Sequence, residues 1–252
     1  MSIRNASLGA ASLLAAAAFA GPALADGMPS RGRIAEAPAT RPCSTSGNIG
    51  YTTDYVFRGI SQNNENGAVQ GGVDLTCGNF YLGAWGSNVA VEGTHEVDIY
   101  GGYRTKLDRF AIDLGLIYYA YPGTSSGFDA DYLELKAAAS TEVWRGGTAG
   151  ATVFYSPDYL GGTGPTWTLE GTLAQALPKV GMFSPTLSVT YGHLNQTDND
   201  FDYNYWNVGL TVGFLEKWSF DLRYWDTDIS KADCDFTSIC DSRVVGTVKY
   251  TF

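Results

Sequence analysis

From Asn48 to the last residue, large apolar side chains alternate with small or polar ones at a period of two, the spacing of strands whose two faces meet unlike surroundings. In the first run Ile49, Tyr51, Thr53, Tyr55 and Phe57 share one face, and Gly50, Thr52, Asp54, Val56 and Arg58 the other. Phe110, Ile112, Leu114, Leu116 and Tyr118 likewise oppose Ala111, Asp113, Gly115 and Tyr119. Trp218, Phe220, Leu222 and Tyr224 oppose Ser219, Asp221 and Arg223. The last run sets Val244, Gly246, Val248, Tyr250 and Phe252 against Arg243, Val245, Thr247, Lys249 and Thr251. At ~9–11 residues for a tilted spanning strand, the pattern predicts about twelve strands. They fall near 48–59, 66–76, 79–89, 95–105, 109–120, 130–142, 147–156, 165–176, 184–194, 203–215, 217–227 and 242–252.

The connections alternate in length. Short turns are expected at Cys77-Gly78, Lys106-Leu107-Asp108, Arg145-Gly146 and Glu216, and longer polar loops at 61–65, 121–129, 157–164, 195–202 and 228–241. Short turns at one end and long loops at the other mark an all-β, up-and-down antiparallel transmembrane barrel. An even strand count puts both termini at the short-turn, periplasmic end. The link at 177–183 is longer than its counterparts.

Alternation alone does not say which face looks inward; composition does. Only 17% of the residues are charged, while 13% are aromatic and 31 are Gly. A soluble barrel would show charge outside, whereas here the charged face suits a wet lumen and the aromatic-rich face suits lipid with interfacial girdles. Pore-lining positions are then Asp54, Arg58, Asp74, Asp98, Arg104, Asp113, Glu134, Lys136, Glu170, Asp221, Arg223, Arg243 and Lys249, with Glu96 among the inward acids. Near-balance of signs predicts cross-lumen ion pairs. Asp54 and Arg58, ~13 Å apart along a strand at ~3.3 Å per residue, each need a partner from elsewhere.

The opening segment is an address. Arg4, the apolar stretch 8–20 and Ala23-Leu24-Ala25 make residues 1–25 a secretory signal peptide. Residues 26–47, rich in Ala, Pro, Ser and Arg, form a flexible periplasmic lead-in, and 48–252 the barrel. After residue 25 no apolar run is long enough for a helical span. A final strand ending in Phe252 fits the signal that the outer-membrane assembly machinery reads. The expected surroundings are outer-membrane lipid and lipopolysaccharide. A formal charge of −10 argues against nucleic acid.

Residues 48–62, with Thr53-Asp54-Tyr55-Val56-Phe57-Arg58-Gly59-Ile60-Ser61-Gln62 at their centre, resemble the opening signature of the TorF family of exported Gram-negative outer-membrane proteins. The family's core is Ser-Asp-Tyr-x-Phe-Arg-Gly-x-Ser-Gln, with Thr53 here replacing Ser. The match continues at Val69-Gln70-Gly71-Gly72-Val73-Asp74, then from Phe80 to Val89, at Glu96-Val97-Asp98-x-Tyr100-Gly101-Gly102-Tyr103 and at Tyr118-Tyr119-x-Tyr121-Pro122-Gly123. The resemblance implies an outer-membrane location and a channel role, without a substrate. Cys234 and Cys240 lie outside the family pattern.

About twelve strands place the bore between side-chain-filled barrels and wide porins, which favours a narrow passage for small hydrophilic solutes. Acidic loops at 198–202 and 226–241 favour cations at the mouth. In an exported chain the four cysteines are expected to be oxidised. Pairing Cys43 with Cys77 and Cys234 with Cys240 keeps each bond on one side of the membrane. No cofactor or metal site is indicated. A lipase-type enzyme would need a nucleophile beside His193, but Ser188 is five residues away on the opposite face. A non-conducting structural or adhesion barrel is the other alternative.

Overall fold

The computed structural model describes residues 43–90, 95–124, 130–198 and 201–252. The signal peptide and residues 26–42 of the lead-in lie outside the described residues. Among the described residues there are fourteen strands: β1 (Ser44–Thr52), β2 (Val56–Phe57), β3 (Ile60–Ser61), β4 (Ala68–Cys77), β5 (Phe80–Asn88), β6 (His95–Leu107), β7 (Phe110–Ala120), β8 (Tyr132–Trp144), β9 (Gly147–Ser156), β10 (Thr166–Ala176), β11 (Phe183–Gln196), β12 (Phe201–Phe214), β13 (Trp218–Thr227) and β14 (Arg243–Thr251). Twelve of them, all but β2 and β3, pair with their chain neighbours into one closed antiparallel barrel. No sheet edge is left to be satisfied in lipid, which is what a membrane demands of strands. The cylinder closes where β1 meets β14, from Asn48↔Thr251 to Thr52↔Thr247. Paired bonds between Gly47 and Phe252 extend that seam, so β1 starts and β14 finishes at the short-turn end.

Neighbouring side chains decide which face is which. Leu222 is 62% exposed while Arg223 beside it is 3%. Ile49, Leu116, Leu135 and Leu169 follow Leu222 outward, and every predicted lumen charge except Asp54 and Arg58 sits on the inner face of a wall strand. This is a transmembrane β-barrel. Aromatic pairs ring the short-turn rim, with Phe80–Tyr103 at 5.1 Å, Phe183–Phe214 at 5.4 Å and Trp218–Tyr250 at 4.9 Å. Tyr155–Trp167, at 4.5 Å, stands near the opposite rim. Disulfides join Cys43 to Cys77 and Cys234 to Cys240, the pairing expected from their sides.

The first predicted strand needs correction at both ends. It begins at Ser44, so four residues assigned to the lead-in belong to the wall, and it stops at Thr52 instead of continuing to 59. Tyr55 and Phe57, expected to face lipid, are 1% and 8% exposed. Residues 53–67 leave the wall and fold into the bore. Their alternation was real, but it belongs to the small hairpin β2–β3, with both faces inside the barrel.

Candidate functional site

The β2–β3 hairpin turns on Arg58-Gly59, with φ of 47° and 86°. Two central residues with positive φ are the pattern of a type I′ turn, whose usual pair is Asn-Gly. Arginine in that place costs roughly 1 kcal/mol in backbone strain, so its side chain must return something. A Cβ on Gly59 would sit 2.3 Å from the Thr227 methyl and 2.9 Å from Tyr205 Cβ, so glycine lets the tip abut β12 and β13. The Arg58 side chain meanwhile reaches the opposite wall.

There its guanidinium donates two parallel bonds to Glu134 on β8, Nη1 to Oε1 at 2.7 Å and Nη2 to Oε2 at 2.9 Å. Both side chains are 1% exposed. The rings of Phe57, Phe154 and Tyr159 lie 4.7, 4.9 and 5.9 Å from Arg58 Cζ. Tyr119 donates to Glu134 Oε2 at 3.2 Å, and its ring stacks on Tyr132 at 4.4 Å. A buried fork of this kind holds well when both prongs are matched, which Glu134 provides for Nη1 and Nη2, while Nε is buried without a hydrogen-bond partner among the described residues.

The rest of the hairpin is fastened around the bore. Tyr55 donates to Glu96 on β6 at 2.6 Å and meets Trp85 edge-on at 5.5 Å. Phe57 meets Tyr119 at 6.0 Å. Asp54 accepts from Ser61 at 2.7 Å and from Arg243 at 2.8 Å, and Arg243 also reaches Glu65 at 3.4 Å. Burial raises the Asp54 carboxyl above its ordinary pKa, against the lowering pull of Ser61 and Arg243. From outside, the disulfide-closed loop before β14 leans on the hairpin: the Ser61 N–H donates to the Ile239 carbonyl at 2.9 Å. Glycine again makes room for an aromatic ring, since a Cβ on Gly192 would strike Tyr205 at 2.2 Å, and Tyr205 donates to Glu170 at 2.5 Å.

Away from the hairpin, the lumen charges pair along the wall, between neighbouring strands or within one, and not across the lumen as the balance of signs suggested. Asp113 takes Arg104 at 3.2 Å, Lys136 at 3.0 Å and the Tyr81 hydroxyl at 2.8 Å. Asp74 accepts from Tyr100 at 2.8 Å, with Lys249 in electrostatic reach. Arg223 binds Asp221 at 2.9 Å, Asn207 at 2.6 Å and Ser188 at 3.2 Å. Asp98 is buried on the inner face of β6. The pairing expected of Asp54 and Arg58 is found, but through the hairpin and not through a spanning strand. Sequence reasoning missed Tyr55, Phe57, Phe154 and Tyr159. The signal that could have found the hairpin was Arg-Gly between Val56-Phe57 and Ile60-Ser61, a turn inside what reads as one strand.

Ser188 and His193 do not come together. Ser188 is inside, bonded to Arg223, while His193 is on the outer face with Asn204 Oδ1 at 3.0 Å. Among the described residues no group of His, Cys, Asp and Glu is arranged to hold a metal.

A family model described as "Bacterial protein of unknown function (Gcw_chp)" matches residues 36–252. The chain belongs to this family. The Gcw_chp match takes in the whole barrel and the hairpin, but its description carries no activity. No curated protein matches the chain. Among solved structures, a KdgM porin shares the fold at a TM-score of 0.55 and 12% identity, covering 82% of this chain and 99% of that one. The KdgM porin in complex with disordered oligogalacturonate matches at 0.53 and 11%, covering 83% and 99%. A NanC porin matches at 0.52 and 12%, again covering 83% and 99%. This Gcw_chp member therefore has a porin-like fold, as the TorF resemblance implied.

Proposed function

We propose that the protein is an outer-membrane channel for small hydrophilic solutes, with the inward hairpin 53–67 as its constriction and its termini on the periplasmic side. The observation that carries this reading is a barrel wall lined by paired charges and hydroxyls and crossed by a polar-tipped segment. A barrel with a merely structural role needs neither. The resemblance of residues 48–62 to the TorF family supports the same role, and the porin-like fold is consistent with it. An oligogalacturonate-bound porin shares the architecture, so passage of small, highly hydrated molecules is within the reach of this fold.

The passage prefers cations weakly. Asp228, Asp233 and Asp235 stand exposed in the long loop before β14, at the end where an entering ion arrives. Reversal potentials across a bilayer with a salt gradient test the sign, and anion selectivity would refute it. Close packing of the hairpin favours a second reading, a barrel shut at rest. Single-channel recording of the refolded protein separates the two: steady current supports the open constriction, and rare or absent openings support the shut barrel.

A further inference from the structure

The place that holds Arg58 has the make-up of a receptor for its side chain. A carboxylate offers both oxygens to the two ends of a guanidinium, aromatic faces flank the cation, and water is excluded. The wall parts do not depend on Arg58 for their positions. Glu134 and Tyr132 are on β8, Tyr119 on β7 and Phe154 on β9, each fixed by the barrel ladder. Tyr159 packs against Tyr132 at 4.7 Å. Arg58 comes to this receptor on a turn whose first central position is ill-suited to it, held in the left-handed region at φ 47°. The residue is at the tip for its side chain.

Resting on the channel reading above, we infer that the Glu134–Phe154–Tyr159 cage is a binding site for guanidinium- and amine-bearing solutes, for which Arg58 is the built-in competitor. A cationic solute entering from the mouth takes the carboxylate and the ring faces. Arg58 is released, and the hairpin loses the anchor that holds it against β8. The solute class and the opening of the constriction are thus linked by one exchange: a ligand that binds only the displaced state shifts the hairpin toward it.

The test uses the full barrel, refolded in detergent and judged folded by a gel shift on boiling. Arg58→Ala empties the cage. Arg58→Gly does so while also relaxing the tip, and serves if the first variant folds poorly. Guanidinium and agmatine are titrated by calorimetry, with urea as the uncharged analogue. Saturable binding of both cations, none of urea, and binding weakened about tenfold or more by adding Glu134→Gln are expected. Wild type needs no substitution: agmatine raised well above the concentrations that saturate the Arg58→Ala protein, so that it outcompetes the tethered arginine, should raise its open probability, and choline at the same ionic strength should not.

Absence of saturable binding to a folded Arg58 variant overturns the cage, leaving Arg58 a brace. Binding that Glu134→Gln leaves unchanged also overturns it, because the site would lie elsewhere. In wild type, equal responses to agmatine and choline count against it in the same way. Binding as expected with no current through any variant would leave the cage standing and bring down the channel reading. Current with no binding would do the reverse.

Discussion

At the scale of single residues, Arg58 and Asp54 show how differently two buried charges in one hairpin can be treated. Arg58 keeps its charge and is matched by Glu134 on both prongs. Glu134→Gln preserves the shape but strands the guanidinium in a dry site, a loss of the order of 3–5 kcal/mol for breaking a buried pair. Hydrogen exchange of amides 53–67 should accelerate accordingly while the wall amides stay protected. Asp54 is the opposite case, its pKa raised by burial despite Ser61 and Arg243. The docked hairpin therefore holds that proton more tightly than a released one. The Asp54 contribution to docking is complete below the ordinary carboxylate value and is lost as pH rises through the raised one. Asp54→Asn, which mimics the protonated acid and keeps the Ser61 bond, should leave docking nearly unchanged in acid and flatten this part of the pH dependence of exchange. Arg243 and Glu65 stay to titrate as before.

At the scale of elements, the hairpin is an insertion between two strands that do not need it. β1 and β4 are paired from Ser44↔Thr76 to Thr52↔Ala68 without a break. Replacing residues 54–66 by a Gly-Ser-Gly link should keep the barrel and its gel shift, and raise single-channel conductance several-fold or abolish rectification by the constriction. An unchanged conductance would mean that the bore is closed by something else. The hairpin was the part of the fold least legible in the sequence, for a physical reason. Alternation reports that two faces differ, and Tyr55 and Phe57 continue the rhythm of Ile49 and Tyr51. Whether an aromatic row meets lipid or another row of aromatics inside the bore depends on the partners Trp85, Tyr119 and Phe154, which are distant in the chain. Only the positive-φ turn at Arg58-Gly59 gave a local clue.

At the scale of the whole molecule the sequence was far more informative. Strand number, the outward rows of the wall strands other than Tyr55 and Phe57, and both disulfides follow from a period of two, from loop length and from sidedness, all of them local or counting arguments. The identity of each ion-pair partner did not follow, since Arg104–Asp113–Lys136 or Arg223–Asp221–Asn207 requires the register between strands. The same register makes the orientation of the wall testable. Leu222 lies midway along β13, outward, between Leu210 and Gly246 on the flanking strands. Leu222→Arg puts a guanidinium near the middle of the hydrocarbon, where such a charge costs about 2–4 kcal/mol in a transmembrane barrel. Thr172, on β10, faces the bore and is only partly buried, so Thr172→Lys places its charge in hydrated surroundings at little cost. Urea unfolding of both variants in lipid vesicles should therefore show a large loss for the first and almost none for the second. Equal losses, or a larger one at Thr172, would reverse inside and outside and remove the basis for a lumen lined by charge.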